Sequence, residues 1–259
     1  MQMEWHTRFV IQSKWTRELR KFLFERLDLS KAKRILEVGC GSGAILMDSN
    51  FSIFYRRSKK VTSETQIHGL DISLDFLSQA ANNAPFSLLT RGDAHKLPYA
   101  TSSFKLVYCH FFLLWIKNPL LALEEMARVA CPGGFVVAFA EPDYGGRIDY
   151  PSDMIKVGEL QEIALRNQGA ETRLGRQLRS LFYESGLENI EAGVLGGQWL
   201  GNSFSEEQRS ELEVLEEDLK DFIPPERMKH IRIRELEAQH SGERVLYIPT
   251  FYAIGQKTI

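Results

Sequence analysis

The sequence predicts an α/β fold built on a mostly parallel sheet with helices on both faces. Three observations carry this prediction. Five short apolar runs alternate with segments of helical periodicity, the first run ends at the glycine-rich turn EVGCGSG (37–43), and two later runs end at Asp71 and Asp93. Strands that alternate with helices are joined by crossovers, which places the strands parallel in one sheet.

The elements of the first half follow in chain order. Residues 7–29 carry apolar side chains at helical spacing, which predicts an amphipathic leading helix. The five strand-like runs are RILEV (34–38), IHGLDIS (67–73), FSLLTRGD (86–93), FKLVYCH (104–110) and GFVVAFAE (134–141). Helices are expected to open at AILM (44–47), to cover 74–83, and to begin at Asn118-Pro119, where asparagine suits the cap and proline the first helical position.

In the second half of the chain, strand-like and helical segments no longer alternate regularly. Helices are expected near 153–168 and 174–184, a strand at LENIEAGVL (187–195), helical structure over 205–240, and a last strand-like run at RVLYIPTFYAIGQ (244–256). The predicted organisation is therefore an N-terminal helical cap (1–32), a core (33–202), a helical insert (203–242) that caps the substrate, and the final strand of the core (243–259).

The composition argues against a nucleic-acid-binding, membrane-spanning or metal-binding protein. The chain has 259 residues, 44% of them hydrophobic and 25% charged, with a formal net charge of −2. Such a balance provides no field that would draw nucleic acid or an anionic membrane. The longest apolar run, 106–116, is too short to span a bilayer, and three cysteines in unrelated contexts predict free thiols and no metal site. We expect a soluble cytoplasmic protein.

The glycine turn alone admits two ligands. Gly39-x-Gly41-x-x-Ala44 satisfies a dinucleotide fingerprint, whereas an acidic residue before three spaced glycines is typical of an S-adenosylmethionine turn. In both cases a carboxylate at the end of the second strand binds ribose, and Asp71 fits that role. Asp71 lies 32 residues after Gly39, against about 20 in a compact dinucleotide unit, and the excess is a polar loop over 48–66.

Four motifs in order carry a resemblance. ILEVGCGSG, GLDIS, GDAHKLPY and PGG, between about residues 33 and 141, are similar to those of class I S-adenosylmethionine-dependent methyltransferases, and especially to the ubiquinone and menaquinone biosynthesis C-methyltransferases. The resemblance implies a Rossmann-like fold with a seven-stranded sheet, S-adenosylmethionine as cofactor, and in-line methyl transfer to an O, N or C nucleophile of a small molecule.

The resemblance also assigns roles to individual residues. The methionine end of the cofactor would lie on a turn of one carboxylate and three glycines: Glu37, Gly39, Gly41 and Gly43. Asp71 would hold the ribose, Ile72 would pack on the adenine, and Asp93 with Ala94 would bound its amine edge. His110, after the fourth strand, would lie near the reacting methyl, either as a general base or as a hydrogen-bonding group for the cofactor or a loop.

The acceptor is less constrained. Polar and aromatic residues after the fifth strand (Glu141, Asp143, Tyr144, Asp149 and Tyr150) would suit an amine or a phenol-type acceptor, or could form an ordinary polar turn. The acceptor contacts that we predict are Trp115, Tyr144, Asp149 and Tyr150. The alternatives are a protein or RNA methyltransferase that uses the basic stretch 56–60, a non-catalytic cofactor-binding module, and a nicotinamide oxidoreductase, which Glu37 and GDAHKLPY disfavour.

Overall fold

A central seven-stranded sheet organises the chain. The computed structural model describes residues 5–27, 29, 32–47, 65–194, 196 and 206–258. The strands of the sheet are β1 (Arg34–Val38), β2 (Gln66–Asp71), β3 (Leu88–Arg91), β4 (Phe104–Cys109), β5 (Ala130–Pro142), β7 (Glu188–Val194) and β9 (Thr250–Gln256). Their spatial order is β3-β2-β1-β4-β5-β9-β7, with β1 to β5 parallel and β9 antiparallel to both neighbours.

Helices surround this sheet, as the alternating pattern predicts. They are α1 (Trp5–Trp15), α2 (Arg17–Arg26), α3 (Leu74–Asn83), α4 (Pro119–Val129), α5 (Ile155–Asn167), α6 (Leu178–Glu184), α7 (Glu206–Leu219) and α8 (Pro225–His240). Two short strands, β6 (Ile148–Tyr150) and β8 (Val245–Tyr247), pair antiparallel in a separate sheet. The predicted fold class is confirmed, including the helical insert that precedes the last strand.

The core forms because successive side chains of the central strands are buried on opposite faces. Ile35 packs with the cluster that includes Leu23 of α2, whereas the next residue, Leu36, packs with the cluster that includes Met126 of α4 and Phe182 of α6. A parallel sheet with helices on both sides buries both faces, which explains why its strands are continuously apolar in sequence.

Local sequence signals place two of the helix starts. Asn118 caps α4, with its side chain accepting from the Leu121 backbone N–H at 3.1 Å, and Pro119 occupies the first helical position. Pro225 likewise opens α8. The start of α4 agrees with the prediction from sequence, and proline suits both positions because it has no N–H to leave unpaired in the first turn.

Two local expectations are wrong. The leading helix predicted over 7–29 breaks at Thr16 into α1 and α2, where the Thr16 backbone leaves the helical conformation (φ −108°, ψ 10°) and its hydroxyl contacts His110 and Arg20. Residues 44–47, expected to open a helix, form turns, and most of the 48–66 loop, with its basic stretch, lies outside the described residues.

The helical insert has its own apolar core with α5. Residues of α7, such as Leu212 and Leu219, pack against α5 residues, such as Val157. A buried ion pair joins the insert to the N-terminal helix: Arg8 Nη1 lies 2.6 Å from Asp218 Oδ1, with side chains 5% and 0% exposed. None of the helices in the described ranges is both long and apolar enough to cross a membrane.

Candidate functional site

The sheet order brings the predicted site residues to one edge. The glycine turn follows β1, Asp71 ends β2, His110 follows β4, and Glu141 lies near the end of β5. These four strands are neighbours in the order β2-β1-β4-β5. Open α/β sheets bind ligands in the crevice outside the carboxyl ends of their strands, and this edge is that crevice.

The glycine turn has a backbone shape that side chains oppose. Gly39, Gly41 and Gly43 adopt φ values of +71°, +50° and +82°, in the left-handed region. A Cβ on Gly43 would also lie 3.2 Å from the Cα of Ala80 in α3. The turn therefore needs its glycines for conformation as well as for close approach by a ligand.

Asp71 ties the turn to β2. Its Oδ2 accepts from the Gly41 backbone N–H at 2.8 Å and its Oδ1 from the Ser73 N–H at 2.9 Å. Since each carboxylate oxygen carries two lone pairs, these bonds leave acceptor capacity for a ligand hydroxyl. Asp71 thus has a structural role in the turn in addition to the predicted ribose role.

Glu37 lies beneath the turn and is buried. Burial raises its pKa to about 8, while a hydrogen bond from the Tyr108 hydroxyl at 3.2 Å and the charge of Arg20 act in the opposite direction. A carboxyl group with this pKa is mostly protonated at neutral pH. A cation bound nearby would favour its ionised form.

Helix α1 covers the turn from outside, a contact that the sequence analysis missed. His6 Nδ1 lies 2.7 Å from Ser42 Oγ, and Asn83 of α3 donates to the Ser42 carbonyl at 2.9 Å. A Cβ on Gly41 would lie 3.0 Å from the Phe9 ring. The sequence contains a pattern that indicates this face, because the residues on it recur every three or four positions: His6, Phe9, Ser13, Thr16 and Arg20.

His110 is held as a neutral imidazole. Its Nε2 lies 2.7 Å from Thr16 Oγ1, and Arg20 donates to the same hydroxyl oxygen at 2.6 Å. Burial, and then the charge of Arg20, hold the pKa of His110 well below its ordinary value. His110 can therefore donate or accept one hydrogen bond through its other nitrogen, but the cationic form is unfavourable.

The residues predicted to bind adenine combine an exposed apolar side chain with a carboxylate. Ile72 is 65% exposed, and Ala94 is buried beside the turn that follows β3. Asp93 Oδ1 accepts from the His95 backbone N–H at 2.9 Å, and its contact with the His95 ring is 2.8 Å. These bonds, the backbone one foremost, lower the pKa of Asp93.

The predicted acceptor residues occupy different environments. Trp115 and Tyr150 are exposed, whereas burial and the charge of Asp218 raise the pKa of the partly buried Tyr144 to about 12. Asp149 is paired with Arg147 at 2.5 Å and with Arg244 at 2.8 Å, and its side chain is 4% exposed. Asp149 could reach an acceptor only if these ion pairs broke.

Two acidic residues at the end of β5, Glu141 and Asp143, were grouped with the acceptor set but bind other groups of the protein. Asp143 pairs with Arg176, and Glu141 accepts backbone N–H groups of the loop after β4. No group of three or more His, Cys, Asp or Glu in the described residues is placed to hold a metal ion.

Comparison with known proteins agrees with this geometry. Residues 36–138 match the family model described as a methyltransferase domain. An uncharacterized methyltransferase of Schizosaccharomyces pombe is 31% identical over 166 residues, which cover 58% of this chain and 55% of that protein. A demethylmenaquinone methyltransferase of Staphylococcus epidermidis is 34% identical over 121 residues, which cover 46% of this chain and 47% of that protein.

A solved structure extends the likeness in fold. The putative sarcosine dimethylglycine methyltransferase from Galdieria sulphuraria superposes with a TM-score of 0.56 at 18% identity, covering 95% of this chain and 86% of that one. The chain spans about half the length of the curated relatives that it matches. With the turn and strand ends described above, the family match shows a methyltransferase domain over residues 36–138, and the solved structure shows a shared fold.

Proposed function

We propose that this chain transfers a methyl group from S-adenosylmethionine to a small-molecule acceptor with an oxygen, nitrogen or carbon nucleophile. The observation that carries the proposal is the left-handed glycine turn bound through Gly41 to Asp71, within a methyltransferase domain. The turn and the aspartate stand at adjoining strand ends, where a nucleoside with a charged tail would lie along the crevice.

The residues present fit this cofactor. The buried Glu37 carboxyl gains from a nearby cation, and the methionine end of the cofactor carries an ammonium and a sulfonium. Asp71 would accept from ribose hydroxyls, the exposed Ile72 would pack on the adenine, and Asp93 would accept from its amine. Glycines at 39, 41 and 43 let the backbone approach the ligand.

Positioning is the main task of the protein in this reaction. Bound S-adenosylmethionine supplies the methyl group on a sulfonium, so the chain must bring the nucleophile into line and exclude water. His110 is neutral and anchored to Thr16, and its low pKa makes it a weak base. We therefore assign His110 the role of orienting the acceptor or cofactor by a hydrogen bond, ahead of proton removal.

We assign the acceptor to the region between the loop after β4 and the segment after β5. Trp115, Tyr144 and Tyr150 would provide aromatic surface there, and Asp149 is held in ion pairs with Arg147 and Arg244. A flat or apolar amine or phenol-type acceptor would suit this lining. The names of the relatives, one acting on demethylmenaquinone and one on sarcosine or dimethylglycine, include both an aromatic and an amine acceptor.

The domain organisation follows from the same proposal. Residues 1–32 cover the cofactor turn, 33–202 and 243–259 form the cofactor-binding core, and the 203–242 insert caps the acceptor. The contacts of α1 with the glycine turn and the Arg8–Asp218 pair that joins α1 to α7 support this arrangement.

A labelling experiment tests the proposal. The purified chain is incubated with methyl-labelled S-adenosylmethionine and a fractionated metabolite extract, and label is followed into each fraction. We expect label in one small-molecule fraction. Label in protein or RNA would contradict the small-molecule acceptor, and cofactor binding without transfer to any fraction would favour a cofactor-binding module.

A further inference from the structure

Glu141 is a buried carboxylate that binds only backbone amides in the contacts of the described residues. Its Oε1 accepts from the N–H groups of Phe112 at 3.0 Å and Leu113 at 2.8 Å, and its Oε2 accepts from Leu114 at 3.2 Å. The residue is 0% exposed, and no Lys, Arg or His of the described chain forms an ion pair with it. Burial raises the pKa of Glu141 to about 7, while the bonds from the Leu113, Phe112 and Leu114 N–H groups act in the opposite direction and stabilise the ionised form.

The backbone that Glu141 binds is strained. Phe111 has φ +48°, in the left-handed region that bulky side chains rarely adopt. Its N–H donates to the carbonyl of Ala140 at 2.9 Å, so β5 holds the strained residue and the three amides that follow it. Conformations of this kind persist only where surrounding contacts determine them, and they are concentrated at functional sites.

This backbone shape sets the side chains on the methyl side of the crevice. The Phe112 ring lies so close to Gly39 that a Cβ there would be 2.1 Å from Phe112 Cδ2. The His110 ring packs edge-on to Phe111 with centroids 4.7 Å apart, while its Nε2 contacts Thr16. Release of the 111–114 backbone would therefore move both His110 and Phe112.

We propose that Glu141 is a positioning residue for methyl transfer, which holds residues 111–114 in the strained shape that places His110 and Phe112 beside the glycine turn. The consequence for methyl transfer rests on the proposed function, whereas the holding of the loop does not. Both carboxyl oxygens are required because they divide the three bonds, two on Oε1 and one on Oε2. Glutamine has the same shape but replaces one acceptor oxygen with an NH₂ donor, which would face a backbone N–H.

Hydrogen exchange measured by NMR tests the holding directly. In Glu141→Gln we expect the protection of the Phe112, Leu113 and Leu114 amides to fall at least tenfold relative to wild type. The Leu97 amide, which donates to Glu125 at 2.8 Å, should keep its protection. Glu191→Gln is the matched control, since Glu191 pairs with Arg26 on the surface away from this loop, and it should leave all four amides unchanged.

A second variant covers the case in which Glu141→Gln does not fold. Glu141→Asp keeps the charge and withdraws it by one methylene, so protection of the same three amides should fall in the same direction. Unchanged protection at 112–114 in whichever variant folds would overturn the proposal.

The effect on function is measured in two ways. One is the affinity for S-adenosylhomocysteine, and the other is the rate of methyl transfer to the metabolite fraction that the wild-type protein methylates. We expect kcat to fall at least tenfold in Glu141→Gln, with a smaller change in affinity for S-adenosylhomocysteine. Lost protection with unchanged kcat would overturn the positioning role. Lost protection in a protein whose wild type neither binds this ligand nor transfers methyl would instead refute the proposed function and leave the holding intact.

Discussion

The buried Glu37 provides the most quantitative prediction. Burial raises its folded pKa to about 8 from an ordinary value of 4.5, so the folded chain binds this proton more tightly than the unfolded chain does. A difference of about 3.5 pKa units corresponds to about 5 kcal/mol. Because the folded pKa of Glu37 is raised, the protonated side chain contributes fully to the free energy of unfolding below about pH 4.5. This contribution is lost as the pH rises towards 8.

Glu37→Gln removes this titration and keeps an oxygen that can accept from Tyr108. The free energy of unfolding is measured by urea titration for wild type and variant at pH 5, 7 and 9. Between pH 5 and pH 9, the free energy of unfolding of the wild type should fall by about 4 kcal/mol relative to that of the variant. This is the part of the total change that lies in that pH range.

The control for this experiment is Glu191→Gln. Hydrogen bonding to Arg26 lowers the pKa of Glu191, so its effect should have the opposite sign and be small at the surface. A stability difference between Glu37→Gln and wild type that stays constant from pH 5 to pH 9 would refute the reasoning, because Glu37 would then titrate alike in both states.

Two further predictions concern the cofactor turn and the insert. Binding of S-adenosylhomocysteine at pH 7 should release a proton from Glu37, because the ammonium group of the ligand favours the ionised carboxylate. Calorimetry in buffers of different ionisation enthalpy measures the number of protons released. Equal apparent binding enthalpies in these buffers would contradict the prediction. Asp218→Ala should lower the free energy of unfolding, measured in urea, by about 3–5 kcal/mol, because the buried charge of Arg8 loses its ion pair with Asp218. Asp218→Asn keeps one acceptor oxygen, for Arg8 or for Gln161, and should therefore cost less. An unchanged free energy of unfolding in Asp218→Ala would contradict the prediction.

The sequence predicted the sheet well because its signals are local. Each central strand is a short apolar run that ends at a glycine, an acidic residue or a histidine, and both faces of the sheet are buried. The Asn118-Pro119 helix start was predicted for the same reason, since a cap and its partner lie three residues apart.

Features that depend on distant contacts were missed. The break at Thr16 accompanies a contact with His110, 94 positions away, and the burial of Asp149 depends on Arg244, 95 positions away. Glu141 was grouped with the acceptor residues because its backbone partners have no signature in the sequence. The residues predicted for the site therefore end neighbouring strands, as the sequence pattern predicts, whereas the partners of their side chains depend on the fold.

The central claim is that the glycine turn and Asp71 bind S-adenosylmethionine. Calorimetry with S-adenosylhomocysteine and with NAD, on wild type and Asp71→Ala, tests it most directly. We expect the wild type to bind S-adenosylhomocysteine and not NAD, and Asp71→Ala to bind it more weakly by about 1–3 kcal/mol, the cost of a lost hydrogen bond to a charged group. Binding of NAD alone, or unchanged affinity in Asp71→Ala, would contradict the account.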